Sequence, residues 1–183
     1  MARSPRRVDR PPRDSYSADV TTGATFDELL AALAEAIFRA YGDRLVSLVV
    51  FGSVGRSRAR PDSDVDLLIV ADPLPDGRMA RVAEFEPIER DLEPALALAR
   101  SRGVETSFSP LFKTPREAAR GSPLFLDFVD DARLVYDRGG FFAGVLAKLR
   151  MRLTELGARR VWRGARWYWD LKPDFRPGDV VKL

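Results

Sequence analysis

Two short β-branched apolar runs, Leu45-Val46-Ser47-Leu48-Val49-Val50-Phe51 and Val65 to Val70, confine this chain to folds that bury neighbouring strands. Gly52 stops the first run, and Ala71-Asp72-Pro73 stops the second. Strand side chains alternate, so Asp64 and Asp66 point to one side while Val65 and Leu67 point to the other. Two carboxylates placed this way repel each other unless a cation lies between them. Magnesium takes hard oxygen ligands and keeps phosphate oxygens and waters in its remaining positions. Gly52, directly after a strand, permits positive φ or a close backbone approach, and the N–H groups that follow can cradle phosphate together with the Ser53 hydroxyl. Eleven residues from Ser53 to Asp64 allow one short excursion and a return to the adjacent strand. The pieces read as a site that holds a nucleoside triphosphate through Mg2+.

This constellation resembles the minimal nucleotidyltransferase family of the DNA polymerase β-like nucleotidyltransferase superfamily. The matching residues are Gly52-Ser53, Arg56 and Ser63-Asp64-Val65-Asp66-Leu67, and the match is close from Phe51 to Val70. Ser57 departs from it, standing where the family often has glycine. The resemblance implies an α+β fold (α/β-like): a small mixed β-sheet flanked by helices, here with a C-terminal amphipathic helix. It implies Mg2+-dependent transfer of a nucleoside monophosphate, AMP from ATP, to a hydroxyl of a protein or small molecule. Gly52, Ser53, Arg56 and Ser63 fall on nucleotide-binding positions, and Asp64 and Asp66 on catalytic and metal-binding ones. The superfamily uses a third carboxylate on the next strand, where this chain offers Glu105. Glu105 is longer than the family's usual aspartate and reads equally as a solvated residue. Arg56 likewise reads either as a phosphate contact or as a loop salt bridge. Many small proteins of this type are antitoxins to HEPN ribonuclease toxins, which makes such a protein an implied partner. The alternative is a catalytically weak module that masks a partner.

Composition narrows the chemistry. The chain has 183 residues, 45% of them apolar, enough for one good core. It contains neither cysteine nor histidine, which excludes disulfides, thiolate metal sites, zinc triads and imidazole bases. Any metal chemistry must use oxygen ligands. No apolar run approaches the roughly 18 residues of a membrane span. Pro5, Pro11 and Pro12 interrupt the place where an export signal needs its apolar stretch, so a cytoplasmic protein with no membrane association is expected.

Charge divides the chain into three parts: a basic arm at 1–23, net +2 and expected to be disordered; an acidic body at 24–137, net −6, expected to be the nucleotidyltransferase domain; and a basic tail at 138–183, net +7. In the body, Thr25 and Glu28 form a capping box for a helix ending at Gly42. Residues 79–101 read as helical with interruptions at Pro87 and Pro94, and Val104 to Ser109 as a third strand. Thr114-Pro115-Arg116-Glu117 is a second cap, Ser122-Pro123 starts a short helix, and Arg133 to Tyr136 is a last strand.

Phe142, Val145, Leu146, Leu149, Leu153 and Leu156 share one face of a helix over 141–156, which packs on the domain or in a homodimer. Beyond it, Trp162, Trp167, Tyr168 and Trp169 lie among arginines. This cluster reads as a helix end docked by its tryptophans. The other reading, a surface that stacks bases, keeps nucleic acid open as a partner.

Overall fold

The computed structural model describes residues 20–164 and 166–176. Thirteen elements follow in chain order: α1 (Val20–Tyr41), β1 (Leu45–Phe51), the single turn α2 (Gly52–Gly55), β2 (Val65–Ala71), α3 (Arg78–Asp91), α4 (Glu93–Ser101), β3 (Phe108–Lys113), α5 (Pro115–Ala119), α6 (Phe125–Asp131), β4 (Arg133–Asp137), α7 (Phe141–Glu155), β5 (Arg159–Arg163) and β6 (Arg166–Asp170). The main sheet has the order β3-β2-β1-β4; β1 runs antiparallel to β2 and β4, and β2 runs parallel to β3. Among the described residues, no helix is long and apolar enough to cross a membrane.

Both faces of β1 and β2 are buried, which is why their sequences read as continuous apolar runs. On one face, Leu48, Val50, Leu67 and Ile69 pack against α1, α3 and α4 through Leu33, Ile37, Phe85 and Leu96. On the other, Val49, Leu68 and Val70 meet Ala118, Phe125, Phe128, Phe142 and Leu146 of α5, α6 and α7. Asp66 shares the parity of Leu68 and Val70 and so belongs to the second face, beside α6.

Four expectations are corrected. The helix α3 runs through Pro87 without the expected interruption. The first helix is described from Val20, so residues 20–23 are helical rather than the end of an arm; the rest of that arm lies outside the described residues. Thr25 sits inside the helix, buried, with its hydroxyl donating to the Thr21 carbonyl, and Glu28 pairs with Arg102. Burial of Thr22 and Thr25 against the core carries the helix past the local capping signal.

The third strand spans Phe108–Lys113, not Val104–Ser109. Proline is tolerated on an edge strand, where its missing N–H leaves no ladder bond unmade, and β3 runs straight through Pro110. The residues before it are fixed by other bonds: Val104 N–H donates to the Ala99 carbonyl and Glu105 N–H to Pro61.

The aromatic tail is a β-hairpin, not a helix end. Arg163 pairs with Arg166 across a tight connection that starts at Gly164, whose φ is +61°. The hairpin lies on α6, where Trp167 and Trp169 reach Asp127, and Trp162, Trp167 and Trp169 are half-buried. Phe142, Leu146 and Leu153 of α7 are likewise buried within the chain, and Val145, Leu149 and Leu156 of the same stripe are half-buried.

Candidate active site

Phe51 ends β1 in an extended conformation, and Gly52 turns the chain at φ +68° into α2. Phe51 is the register partner of Asp66 on β2, which brings the turn and the carboxylate side by side. A β-carbon on Gly52 would lie 2.2 Å from Asp66 Oδ2. Only glycine fits there, for its backbone angle and for the space its neighbour occupies. Gly55 is constrained in a different way: a β-carbon there would meet the Val50 carbonyl oxygen at 2.7 Å, so α2 rests directly on β1.

Ser57, the departure from the family pattern, takes φ +55°. Its position requires the left-handed conformation that glycine adopts freely, and serine adopts it here under strain.

Asp64 stands just before β2, exposed, and Ser107 Oγ donates to its Oδ1 at 2.8 Å. Asp66 is half-buried, and its register partner across β3 is Ser109. Burial pushes the Asp66 carboxyl above its usual range and the Asp64 charge adds to that, against the pull of the Ser109 hydroxyl and of Arg56. Among the described residues no group of three or more Asp, Glu, His or Cys converges on one point. Two carboxylates backed by two serine hydroxyls suit magnesium, a hard cation that draws its other ligands from water and phosphate.

Ser63 and Glu105 have other surroundings. The Ser63 hydroxyl accepts from Arg60 N–H at 2.8 Å and its carbonyl accepts from the Thr106 hydroxyl, so it closes the turn ahead of β2. Glu105 is exposed on the segment before β3 and is not gathered with Asp64 and Asp66. The strand shift explains this: Ser109, not Glu105, lies opposite Asp66.

Arg56 ends α2 and, with Phe51, Gly52, Asp66, Leu124, Asp127, Phe128 and Asp131, lines a cavity of about 190 Å³. That volume is below the roughly 300–1,000 Å³ of a complete small-ligand pocket, and it suits part of a nucleotide. A larger open cleft of about 740 Å³, lined by Glu86, Glu89, Arg90, Glu93 and Leu96, lies over α3 and α4, away from this chemistry. Asp127 and Asp131 are the site residues that the sequence reading passed over. Their signal is a four-residue spacing on one short helix, which puts both on one face.

A mixed sheet with a glycine-serine turn at the end of one strand and paired carboxylates at the head of the next defines a class of protein built for nucleotidyl transfer. The family model described as a nucleotidyltransferase domain matches residues 32–121. A candidate protein adenylyltransferase of Methanocaldococcus jannaschii is 32% identical over 112 residues, covering 60% of this chain and 71% of that protein. The chain belongs to the nucleotidyltransferase domain family, within the polymerase β-like superfamily, and is classed with its enzymes. Among solved structures, a toxin-antitoxin crystallised with AMP-PNP is 15% identical, with a TM-score of 0.39 over 74% of this chain and 92% of that one. A mutant toxin-antitoxin MntA-HpeT is 13% identical, with a TM-score of 0.34 over 72% and 92%. Likeness at this level bears on neither substrate nor partner.

Proposed function

We propose that this protein binds ATP through Mg2+ at Asp64 and Asp66 and transfers AMP to a hydroxyl of a protein or small molecule. The observation that carries the reading is the fit of Gly52 against Asp66, a space kept for a carboxylate beside a strand-end turn. In the reaction the acceptor oxygen bonds to the α-phosphorus, the bond from that phosphorus to the bridging oxygen breaks, and pyrophosphate leaves with the electron pair. The acceptor proton goes to water. Magnesium held by Asp64 and Asp66 would supply charge neutralisation on the triphosphate. Arg56, on the cavity wall, adds a second positive charge toward the phosphates, and the Ser107 and Ser109 hydroxyls hold the two carboxylates in orientation.

The relative from Methanocaldococcus jannaschii supports a protein as acceptor, and the family resemblance supports a cytoplasmic antitoxin whose acceptor is a HEPN-type toxin. Incubation with α-labelled ATP, magnesium and the co-purifying protein should leave label on that protein and release pyrophosphate. With Glu105 set apart from the pair, Glu105→Gln should transfer within about threefold of wild type; a loss of tenfold or more, about 1.4 kcal/mol of transition-state stabilisation, would restore Glu105 as the third carboxylate. The lack of a gathered third carboxylate among the described residues favours one second reading, a weak transferase that acts by masking its partner. Tight partner binding with no label transferred is its signature.

A further inference from the structure

The β5–β6 hairpin lies beyond the segment that matches the family, yet it bears on the wall of the nucleotide cavity. Trp167 and Trp169 donate their indole N–H groups to the same oxygen, Asp127 Oδ1, at 3.1 and 3.3 Å. One turn further along α6, Asp131 Oδ2 draws two guanidinium groups: Arg160 of the hairpin at 3.1 Å and Arg56 of the turn at 3.8 Å. Asp131 and Arg160 are each only 15% exposed at the side chain. Asp131 Oδ2 accepts no aligned hydrogen bond from either arginine, so this oxygen, shut away from water, keeps a strong demand for positive charge. Both guanidiniums also lie over the Trp167 ring, Arg56 at 5.3 Å and Arg160 at 5.2 Å from its centre.

One carboxylate is thus shared unequally between two arginines, and the closer place belongs to Arg160. We propose that Arg160 is a positioning residue for the nucleotide site. By occupying Asp131 it keeps Arg56 loosely held on the Trp167 face, free to turn to a triphosphate. Without Arg160, the buried Asp131 charge would pull Arg56 into a close pair and take it from the phosphates. The inference rests on the reading of Gly52, Arg56, Asp64 and Asp66 as the nucleotide site, and its test separates the two.

Calorimetry with ATP and magnesium would compare wild type with Arg160→Met, Arg56→Met, the double variant and Asp131→Asn. Arg160→Met should bind about tenfold more weakly than wild type and add nothing further in the Arg56→Met background, the signature of a residue that acts through another. Asp131→Asn removes the competitor for Arg56 and should bind at least as tightly as wild type, which a merely structural lesion would not do. Equal losses from Arg160→Met in both backgrounds, no loss at all, or weaker binding by Asp131→Asn would overturn the proposal and leave the site standing. Should Arg160→Met fail to fold, the Asp131→Asn comparison decides alone. No magnesium-dependent binding by wild type would overturn the site reading itself, and this inference with it.

Discussion

Gly52 and Asp66 occupy one another's space: a β-carbon on the glycine would come within 2.2 Å of the aspartate's Oδ2, although the two residues lie on different elements. The turn and the carboxylate are therefore one unit. Gly52→Ala would strain a backbone at φ +68°, at about 1–2 kcal/mol, and push the Asp66 side chain out of place. Reduced stability and a loss of magnesium-dependent nucleotide binding of tenfold or more are expected. A variant that binds ATP as wild type does would show that Asp66 need not stay where the turn puts it.

Asp66 also carries a stability signature. Its carboxyl is raised above the ordinary value of 3.8, first by burial and then by Asp64, so the folded protein holds this proton more tightly than the unfolded chain does. The contribution is most favourable below that ordinary value and is lost as pH rises through the raised folded one. At neutral pH the ionised group is a burden. Asp66→Asn should melt higher than wild type at pH 7 in chelator, with the gap closing as pH falls through the raised carboxyl range. Thermal melts across pH check this; a lower melting temperature for the variant at pH 7 contradicts it.

Ser57→Gly should stabilise the protein by up to about 1 kcal/mol, since serine at φ +55° carries left-handed strain that glycine escapes, less glycine's greater freedom when unfolded. A shift of the urea midpoint to higher concentration at unchanged slope would show it, and a shift to lower concentration would contradict it.

Glu117 of α5 is not among the residues that line the cavity with Arg56 and Asp66. Hydrogen bonds from Arg81 hold its carboxyl down, from 4.5 to about 2, while Thr114 N–H donates to the same side chain in a complete capping box. A lowered carboxyl stabilises the fold above the unfolded value and loses that contribution as pH falls toward about 2. Glu117→Gln should therefore be less stable than wild type at pH 7, and the difference should shrink between pH 4.5 and about 2. A difference that is constant across this range would rule out the ion pair as its source.

The parts of the fold that were legible in the sequence are those in which local pattern and tertiary burial agree. The strands Leu45–Phe51 and Val65–Ala71 read correctly because both of their faces are covered, and the Thr114 cap because its partners lie three residues apart. Misreadings arose where a long-range contact overruled a local signal. The alternation over Val104 to Ser109 lies ahead of the strand that the sheet edge pairs, Thr25 has the spacing of a cap in a helix that the core extends, and the tryptophans pair across a hairpin whose turn lies at Gly164. Asp131 and Arg160 could not be joined from sequence at all, since only the fold brings α6 to the hairpin.

Calorimetry of ATP binding tests Asp64 and Asp66 as the magnesium-dependent nucleotide site most directly. Wild type should bind ATP at least tenfold more tightly with magnesium than with chelator, and Asp64→Asn or Asp66→Asn, still folded, should lose most of that difference. Equal affinity with and without magnesium, or a difference that survives in both variants, would contradict it.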